Sequence, residues 1–348
     1  CRPFEARQHR RVIPRYCILL TCRKKLIRMA KPRKWRKNFY MPGVDSRWWM
    51  DMAKRITCRP VPVFPRMVQI QTHTACNAAC VFCPHTKASK LLPQGRMDEA
   101  LFKKIVEEIA THNATLRISP YLMNEPFLDP AILEKARYIK QRVPRASVVL
   151  TTNGSLLSKD VVDDLVKNNP LRALYISMQG IEKEAYEASM GGGLVFENTK
   201  ENIEYLIDAR NQCAPNLKIV VTMVKTNRIN AEKAVAYWKS RGIDSKFTRL
   251  ENRGGNTAAF DDLNAGGRRI YRDCVRMLKN AYILYNGDII LCCTDYYRTK
   301  VLGNITDSSI SLVWNSEQAR ELRRNFLRGN LESLPRCADC MISTRKKA

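Results

Sequence analysis

The sequence contains no apolar run long enough to cross a membrane. Its longest apolar stretches, "YCILLTC" near the start and "DIILCC" near residue 290, fall far short of the roughly 20 residues that span a bilayer. It also begins without a signal-peptide pattern, and its 13 cysteines cluster at metal-ligand spacings rather than as a small disulfide framework. We therefore expect a chain that folds in the reducing cytoplasm.

Acidic residues are scarce, with 33 Asp and Glu against 60 Lys and Arg and a net charge of +27. The imbalance is concentrated in residues 1–60, which hold 18 Lys and Arg against 3 Asp and Glu. A basic arm of this kind is compatible with RNA, with an anionic membrane surface, with an acidic substrate, or with a solvated extension that has no specific partner. We predict a basic N-terminal extension, expect no nucleic-acid role, and allow a peripheral contact with an anionic surface.

The middle of the chain alternates strand and helix patterns. Short β-branched runs from "MVQIQT" at residue 67 to "SKFTRL" at residue 245 alternate with amphipathic stretches of helical period. Asp98 and Ser158 stand where two of the helices should begin, and both are good N-cap residues. Six βα units of this kind predict a parallel sheet, either doubly wound or a partial (β/α) barrel, with ligands at the carboxyl ends of the strands.

Three cysteines follow the first strand closely, in "HTACNAACVFCPH". Cys76, Cys80 and Cys83 can all reach one small object, which indicates zinc or an iron-sulfur cluster rather than a disulfide. Zinc would need a fourth ligand, which His73 or His85 could supply, although structural zinc sites usually use two separated pairs. A cubane cluster on three thiolates instead keeps one iron open for a ligand.

This spacing, Cys-x3-Cys-x2-Cys with an aromatic residue before the last cysteine, resembles that of the radical S-adenosylmethionine (radical SAM) superfamily. Three later segments at strand ends resemble the motifs of the same family: "MNEP" (123–126), "TTNG" (151–154) and "ISMQG" (176–180). The family has two glycines where this chain has Met123 and Asn124, and an Asp where it has Gln179. The resemblance covers roughly residues 66–250 and implies a partial (β/α)6 TIM-like barrel.

The resemblance also implies the chemistry and its cofactors. A 4Fe-4S cluster on Cys76, Cys80 and Cys83 would bind S-adenosylmethionine and receive electrons from a reductant such as flavodoxin or ferredoxin. The cofactor would be cleaved reductively to a 5′-deoxyadenosyl radical, which abstracts hydrogen from the substrate. Glu125 would hold the amino group of the cofactor, and Phe82 would pack near its adenine. The residues expected to bind the cofactor are Phe82, Asn124, Glu125, Asn153, Ser177 and Gln179.

A second cysteine set lies after residue 260. Cys274 and Cys292 flank a predicted β-hairpin that turns at Asn286-Gly287, and Cys337 and Cys340 close the set. On spacing alone, four thiols of this kind suit a structural zinc and an iron-sulfur cluster equally well. The layout resembles the SPASM and twitch extensions of radical SAM enzymes, which implies a small α+β domain. Four cysteines imply one auxiliary 4Fe-4S cluster, and their spacing is similar to that of enzymes that oxidise aminocyclitol alcohols.

Cys293 and the glycines at 191–193 are not assigned a direct role in binding a metal or cofactor. Cys293 directly follows a predicted ligand and is interpreted as a packing residue, with hydrogen donation to a substrate radical as the alternative. The glycines at 191–193 follow a helix and lack the surroundings of a phosphate loop, so a flexible turn is expected there.

We therefore predict three parts, 1–60, 61–260 and 261–348, which are the extension, the barrel and the auxiliary-cluster domain. The predicted function is a radical SAM oxidoreductase that oxidises a small polar, sugar-like or aminocyclitol-like substrate. The alternatives are a radical SAM epimerase, an enzyme that modifies a ribosomally made peptide and, most distantly, a nucleic-acid-binding metalloprotein without enzymatic activity.

Overall fold

The β-branched runs of the sequence form one nine-stranded sheet in the structure, a computed structural model that describes residues 61–264 and 274–342. The strands are β1 (Met67–Ile70), β2 (Arg117–Ser119), β3 (Ser147–Thr152), β4 (Ala173–Ser177), β5 (Lys218–Lys225), β6 (Asp244–Arg249), β7 (Asn280–Ile283), β8 (Asp288–Ile290) and β9 (Val301–Asn304). Their order across the sheet is β6-β5-β4-β3-β2-β1-β7-β8-β9.

The strand order decides between the two predicted architectures. Strands β1 to β6 lie side by side in chain order, and each neighbouring pair is parallel. A doubly wound sheet reverses its order at a switch point, and β1 to β6 show no reversal. Right-handed crossovers that all advance in one direction put the helices on one face, as in a barrel. Among residues 61–264 and 274–342, β6 and β9 are free edges, so the sheet is not closed there, and the predicted partial barrel is confirmed.

Two helices begin at the capping residues that the sequence predicts. The Asp98 side chain accepts hydrogen bonds from the N–H groups of Ala100 and Leu101, and Ser158 accepts one from Val161, so both predicted N-caps are confirmed.

The helices are α1 (His85–Ala88), α2 (Glu99–Thr111), α3 (Ile132–Arg142), α4 (Lys159–Lys167), α5 (Lys183–Met190), α6 (Phe196–Cys213), α7 (Ala231–Ser240), α8 (Phe260–Leu263), α9 (Arg276–Lys279), α10 (Ile310–Trp314), α11 (Glu317–Arg328) and α12 (Pro335–Ile342), with a 3₁₀ turn at Pro126–Leu128.

The two faces of the sheet differ in chemistry. Val68, Ile118 and Val148 are aligned across three strands and are fully buried. Their chain neighbours point to the opposite face, where Gln69 lies beside Ser119. A parallel sheet packed on both faces would carry apolar residues on both. The polar face is therefore the interior of the barrel, and it offers hydrogen-bond partners to a polar molecule.

The C-terminal strands continue the same sheet. Strand β7 lies parallel beside β1, and β8 and β9 follow in antiparallel pairing. The turn between β7 and β8 places Gly287 at a φ of 86°, as the predicted Asn-Gly hairpin requires. The division at residues 260 and 261 stays a prediction, and the two predicted parts share one sheet.

Contacts from α2 hold the C-terminal segment in place. The Glu108 carboxylate accepts hydrogen bonds at 2.8 Å from the N–H groups of Ile310 and Ser311, where its negative charge also suits the positive end of α10. Lys104 donates to the carbonyls of Ile305 and Thr306 at 2.9 and 2.6 Å. The last third of the chain is thus anchored to a barrel helix.

None of the helices within residues 61–264 and 274–342 combines the length and the apolar character that crossing a membrane requires. The predicted basic extension, residues 1–60, lies outside the described residues.

Candidate functional site

The first candidate site is the loop that follows β1, with the thiols of Cys76, Cys80 and Cys83; we call it the loop site. All three side chains are half-buried. The backbone of the loop is held by the end of α5, because the N–H groups of Ala79 and Val81 donate to the carbonyls of Met190 and Ser189 at 3.0 Å. The cysteines therefore stand at the carboxyl end of the first strand, where the parallel-sheet prediction places a site.

The glycines that follow α5 press against the cysteine loop. Gly191 and Gly192 have φ values of 56° and 70°. A Cβ on Gly192 would lie 2.5 Å from the carbonyl oxygen of Asn77 and 2.8 Å from the nitrogen of Ala79, which no real side chain tolerates. The expected turn is present at Gly192 and Gly193, and the missing side chains also let two backbones meet. The run of three glycines was the available signal.

Two of the loop-site thiols, those of Cys76 and Cys80, are buried so that a nearby cation is needed for them to ionise. Burial raises the pKa of Cys76 to about 12 and also raises the pKa of Cys80. A metal centre supplies the positive charge that stabilises thiolates, and metal binding then releases their protons.

The surroundings favour an iron-sulfur cluster over zinc. Both ring nitrogens of His73 already have partners, because one accepts a hydrogen bond from the Ala75 N–H and the other lies 3.0 Å from the Asn124 side-chain nitrogen. One ring nitrogen of His85 lies 2.8 Å from the Thr74 carbonyl oxygen. Within residues 61–264 and 274–342, no three His, Cys, Asp or Glu side chains surround one metal position. Zinc requires all its ligands around one ion, whereas a cubane spreads its thiolates over several irons.

Glu125 of "MNEP" is a buried carboxylate without a cationic partner among the described residues. Its oxygens accept hydrogen bonds from the Thr152 hydroxyl at 2.6 Å and from the Asn153 N–H at 2.8 Å. Burial nevertheless raises the pKa of Glu125 to about 7. Buried acids are normally paired with a cation, so this residue fits the ammonium group of a ligand.

Asn153 connects the turn after β3 to the loop site. Its side-chain nitrogen donates to the Asn77 oxygen at 2.7 Å, and the Asn77 nitrogen donates to the Ser155 hydroxyl at 2.9 Å. Asn124 also acts locally, because its oxygen accepts the Leu122 N–H at 2.8 Å and its nitrogen lies 3.0 Å from a ring nitrogen of His73. The predicted motifs "MNEP" and "TTNG" therefore meet beside the cysteines.

The other predicted cofactor contacts are placed at the same rim with different surroundings. Both polar groups of the buried Gln179 amide bond the backbone of Val224, at 2.5 and 2.9 Å, which ties β4 to β5. The Ser177 hydroxyl lies 3.5 Å from that of Thr222, and Phe82 is buried beside the loop site. Their contacts with a cofactor stay predictions.

Two residues that no motif predicted contact Cys83. An N–H of Arg253, which follows β6, donates to the Cys83 sulfur at 3.6 Å, and the Tyr296 hydroxyl lies 3.5 Å from the same sulfur. Arg253 also donates to the Tyr296 oxygen. Arg253 is 170 positions from Cys83 in the chain, and no short-range pattern in the sequence could have revealed the contact.

The second candidate site collects the four predicted C-terminal thiols; we call it the C-terminal site. Cys274 precedes α9, Cys292 follows β8, and Cys337 and Cys340 lie three apart on α12, so they share one helix face. All four line one cavity of about 540 Å³. A single zinc ion bound at roughly 2.3 Å from each sulfur would close such a space, so the cavity fits a larger cluster better.

The C-terminal thiols differ in how readily they ionise. Burial raises the pKa of Cys274 to about 12 and that of Cys340 to about 11. The pKa of Cys292 is lowered, because the Cys293 thiol donates a hydrogen bond to it and the Arg276 guanidinium is near. The same hydrogen bond, with burial, raises the pKa of Cys293. Cys292 is thus the thiol of this site best prepared to ligate.

Cys293 packs against an apolar cluster of Leu122, Tyr282, Leu284 and Ile290. Met123 of "MNEP" packs against the same cluster. This thiol therefore lies between the second motif of the loop site and a predicted ligand of the C-terminal site.

Two family models match the chain, and each of them includes one of the two candidate sites. The model of the radical SAM superfamily matches residues 70–236, which include the loop site and Glu125. The model of an iron-sulfur cluster-binding domain, SPASM, matches residues 274–341, which include all four thiols of the C-terminal site.

One relative and two solved structures are distant in sequence and align with most of the chain. The S-adenosyl-L-methionine-dependent 2-deoxy-scyllo-inosamine dehydrogenase of Niallia circulans is 22% identical over 274 residues, 79% of this chain and 92% of the relative. The structure of BtrN with AdoMet and 2-DOIA has a TM-score of 0.54 at 19% identity, covering 79% of this chain and 92% of that one. Streptococcus suis SuiB bound to the precursor peptide SuiA has a TM-score of 0.59 at 16% identity, covering 88% and 80%. These two structures share the fold of this chain.

Proposed function

Because the chain belongs to the radical SAM superfamily and carries a SPASM-type iron-sulfur cluster-binding domain, we propose that it oxidises a small polar alcohol of the sugar or aminocyclitol type. The observation that carries the proposal is the C-terminal site, where four thiols line one cavity. A cluster with four thiolate ligands has no open iron for a substrate and is suited to accepting an electron. The likeness to a relative named as a dehydrogenase supports this proposal.

The loop site is proposed to hold the cluster that binds S-adenosylmethionine. When bound, this pair supplies one-electron cleavage to a 5′-deoxyadenosyl radical, which abstracts hydrogen from the substrate. The residues of the chain would bind and orient this cofactor, and the buried Glu125 carboxylate would accept a hydrogen bond from its ammonium group. Gln69 and Ser119 lie on the interior face of the sheet, where both are buried and the Ser119 hydroxyl accepts a hydrogen bond from Arg117 at 3.3 Å. A reductant such as flavodoxin or ferredoxin would supply the electron.

The position of Cys293 favours one second candidate, a redox-neutral epimerase. A substrate radical in such an enzyme must receive a hydrogen atom, and a thiol is a suitable donor. Cys293 lies beside the predicted ligand Cys292 and shares an apolar cluster with Met123. The alternative of peptide modification draws only on the fold shared with SuiB.

The test is an anaerobic assay of the reconstituted full chain with S-adenosylmethionine, a strong reductant and a panel of sugars and aminocyclitols that includes 2-deoxy-scyllo-inosamine. We expect an amino-ketone or ketone product that appears together with 5′-deoxyadenosine. The same reactions in deuterated solvent separate the two candidates, since an epimerised product carries solvent deuterium at carbon.

Cys293→Ala is the matched variant for this assay. An oxidised product from both the wild type and the variant supports the proposed function and leaves Cys293 as a packing residue. If deuterium enters the product with the wild type and not with the variant, the reaction is an epimerisation rather than an oxidation. If the enzyme turned over peptides and none of the sugars or aminocyclitols, the proposed substrate class would be wrong.

A further inference from the structure

We propose that Arg253 and Tyr296 are a positioning pair that raises the reduction potential of the cluster at the loop site by acting on the Cys83 sulfur. Arg253 follows β6, and Tyr296 lies in the segment between β8 and β9. Neither residue belongs to a motif that predicted the site. The inference rests on the proposed assignment of that cluster to Cys76, Cys80 and Cys83.

The geometry forms a short chain of donors that ends on sulfur. Arg253 donates to the Tyr296 oxygen and, through the same nitrogen, to the Cys83 sulfur at 3.6 Å. The Tyr296 oxygen is 3.5 Å from that sulfur. A thiolate carries no proton to give, so the Tyr296 O–H must donate to it once Cys83 ligates iron. The Arg253 bond to the tyrosine oxygen leaves that O–H free for this purpose.

The guanidinium of Arg253 donates to the Cys83 sulfur and to the Tyr296 oxygen. Glu251, the acidic residue whose charge acts on Arg253, is held by Arg276 at 2.6 Å. Arg253 also adopts a φ of 53°, a left-handed conformation that costs energy for any residue with a Cβ. Strained backbone of this kind persists where the surroundings over-determine it, and it clusters at functional sites.

Reduction of a cluster adds negative charge to it. Hydrogen bonds to a ligating sulfur and a nearby positive charge stabilise the reduced state, which raises the potential. Tyr296 is buried, so water screens this effect little. Arg253 additionally lines the cavity of the C-terminal site, so its charge is near both sites, whereas the contact of Tyr296 is with Cys83 of the loop site.

The test is a redox titration of the reconstituted full chain, followed by electron paramagnetic resonance. The loop-site signal is identified as the one that changes when S-adenosylmethionine is added. In Arg253→Gln we expect the equilibrium constant for one-electron reduction to fall about tenfold, as expected for loss of a charged hydrogen bond. Tenfold corresponds to a potential lower by about 59 mV. Tyr296→Phe should shift the potential in the same direction by less, and Arg253→Lys should recover part of the loss.

Matched controls are Arg298→Gln and Tyr297→Phe. Arg298 is also an arginine at positive φ, 54°, and it stacks over Tyr285 rather than contacting a cysteine. Unchanged potentials in Arg253→Gln and Tyr296→Phe at wild-type iron content would overturn the proposal. If Arg253→Gln fails to hold a cluster, the potential of Tyr296→Phe tests the proposal instead, because this variant removes only one oxygen atom. A wild type without any signal that responds to S-adenosylmethionine would refute the proposed function instead.

Discussion

The loop site and the C-terminal site gather their thiols in opposite ways. The loop site takes three cysteines from eight consecutive positions, on a backbone held by the end of α5. The C-terminal site takes four from three separate segments that meet around one cavity. Three ligands keep a cluster open to a cofactor, whereas four close it. Under the proposed assignment, the number of thiols at each site distinguishes the cluster that binds the cofactor from the cluster that accepts an electron.

The largest effect is expected from removing the thiols of the loop site while those of the C-terminal site remain. Replacing Cys76, Cys80 and Cys83 together with Ala should reduce cleavage of S-adenosylmethionine to background, because no cluster with an open iron remains. Bound iron should fall by about half, since the C-terminal site keeps its cluster. Chromatography of 5′-deoxyadenosine and an iron assay measure both quantities. Cleavage that persists in the triple variant would contradict the radical mechanism.

The complementary variant removes the C-terminal site through Cys337→Ala and Cys340→Ala. Here we expect the other half of the iron to be lost and 5′-deoxyadenosine still to form, while the oxidised product disappears because its electron acceptor is gone. Cys213→Ala is the control, since this cysteine is exposed and lies in α6, away from both sites. Unchanged oxidation by the double variant would remove the electron-acceptor role.

Glu125→Gln sharpens the comparison without touching a cysteine. Loss of a charge-assisted hydrogen bond, worth about 1.5–3 kcal/mol, should weaken S-adenosylmethionine binding by tenfold or more while iron stays at both sites. The pKa of Glu125 is raised to about 7 by burial, so the free carboxyl holds its proton below that pH and must release it to pair with an ammonium group. Wild-type affinity should therefore fall as the pH is lowered through 7.

Isothermal titration with S-adenosylmethionine at several pH values measures this dependence. The affinity of Glu125→Gln should change little across the same range, because the amide does not titrate. A wild-type affinity that is independent of pH would show that Glu125 does not bind the ammonium group of the cofactor.

The smallest expected effect concerns the glycines behind the loop site. Gly193→Ala introduces a Cβ into open space at a φ of 77° and should cost about 1–2 kcal/mol of stability from backbone strain alone. Gly192→Ala adds a clash with the Asn77 carbonyl, so it should cost more and should lower iron only at the loop site. Thermal unfolding and iron content compare the pair. Equal behaviour of the two variants would mean that the contact does not shape the loop.

Local patterns predicted the elements whose causes are local. The spacing of Cys76, Cys80 and Cys83, the period of β1 to β6, and the Asn286-Gly287 turn each depend on a few neighbouring residues. The caps at Asp98 and Ser158 belong to the same class, because a side chain bonds a backbone group two or three positions away.

Contacts between distant segments escaped prediction. Arg253 and Tyr296 carry no motif, and only the folded barrel brings them to Cys83. Gln179 stands where the resemblance implied a cofactor contact, and its amide bonds the backbone of β5. The parallel pairing of β7 with β1 follows neither from hairpin chemistry nor from the βα rhythm, because their partners lie far apart in the chain.

That pairing sets an order for assembly during synthesis. Strand β1 leaves the ribosome early and can pair with β2 on one side, but its other edge stays open until Asn280–Ile283 has been made. Closing so long a loop is slow, and an unpaired strand edge is a template for association with other chains. Insertion of a cluster into its final surroundings, Tyr296 included, therefore has to wait for the last quarter of the chain. A chain released before residue 280 would carry an open edge beside three free thiols.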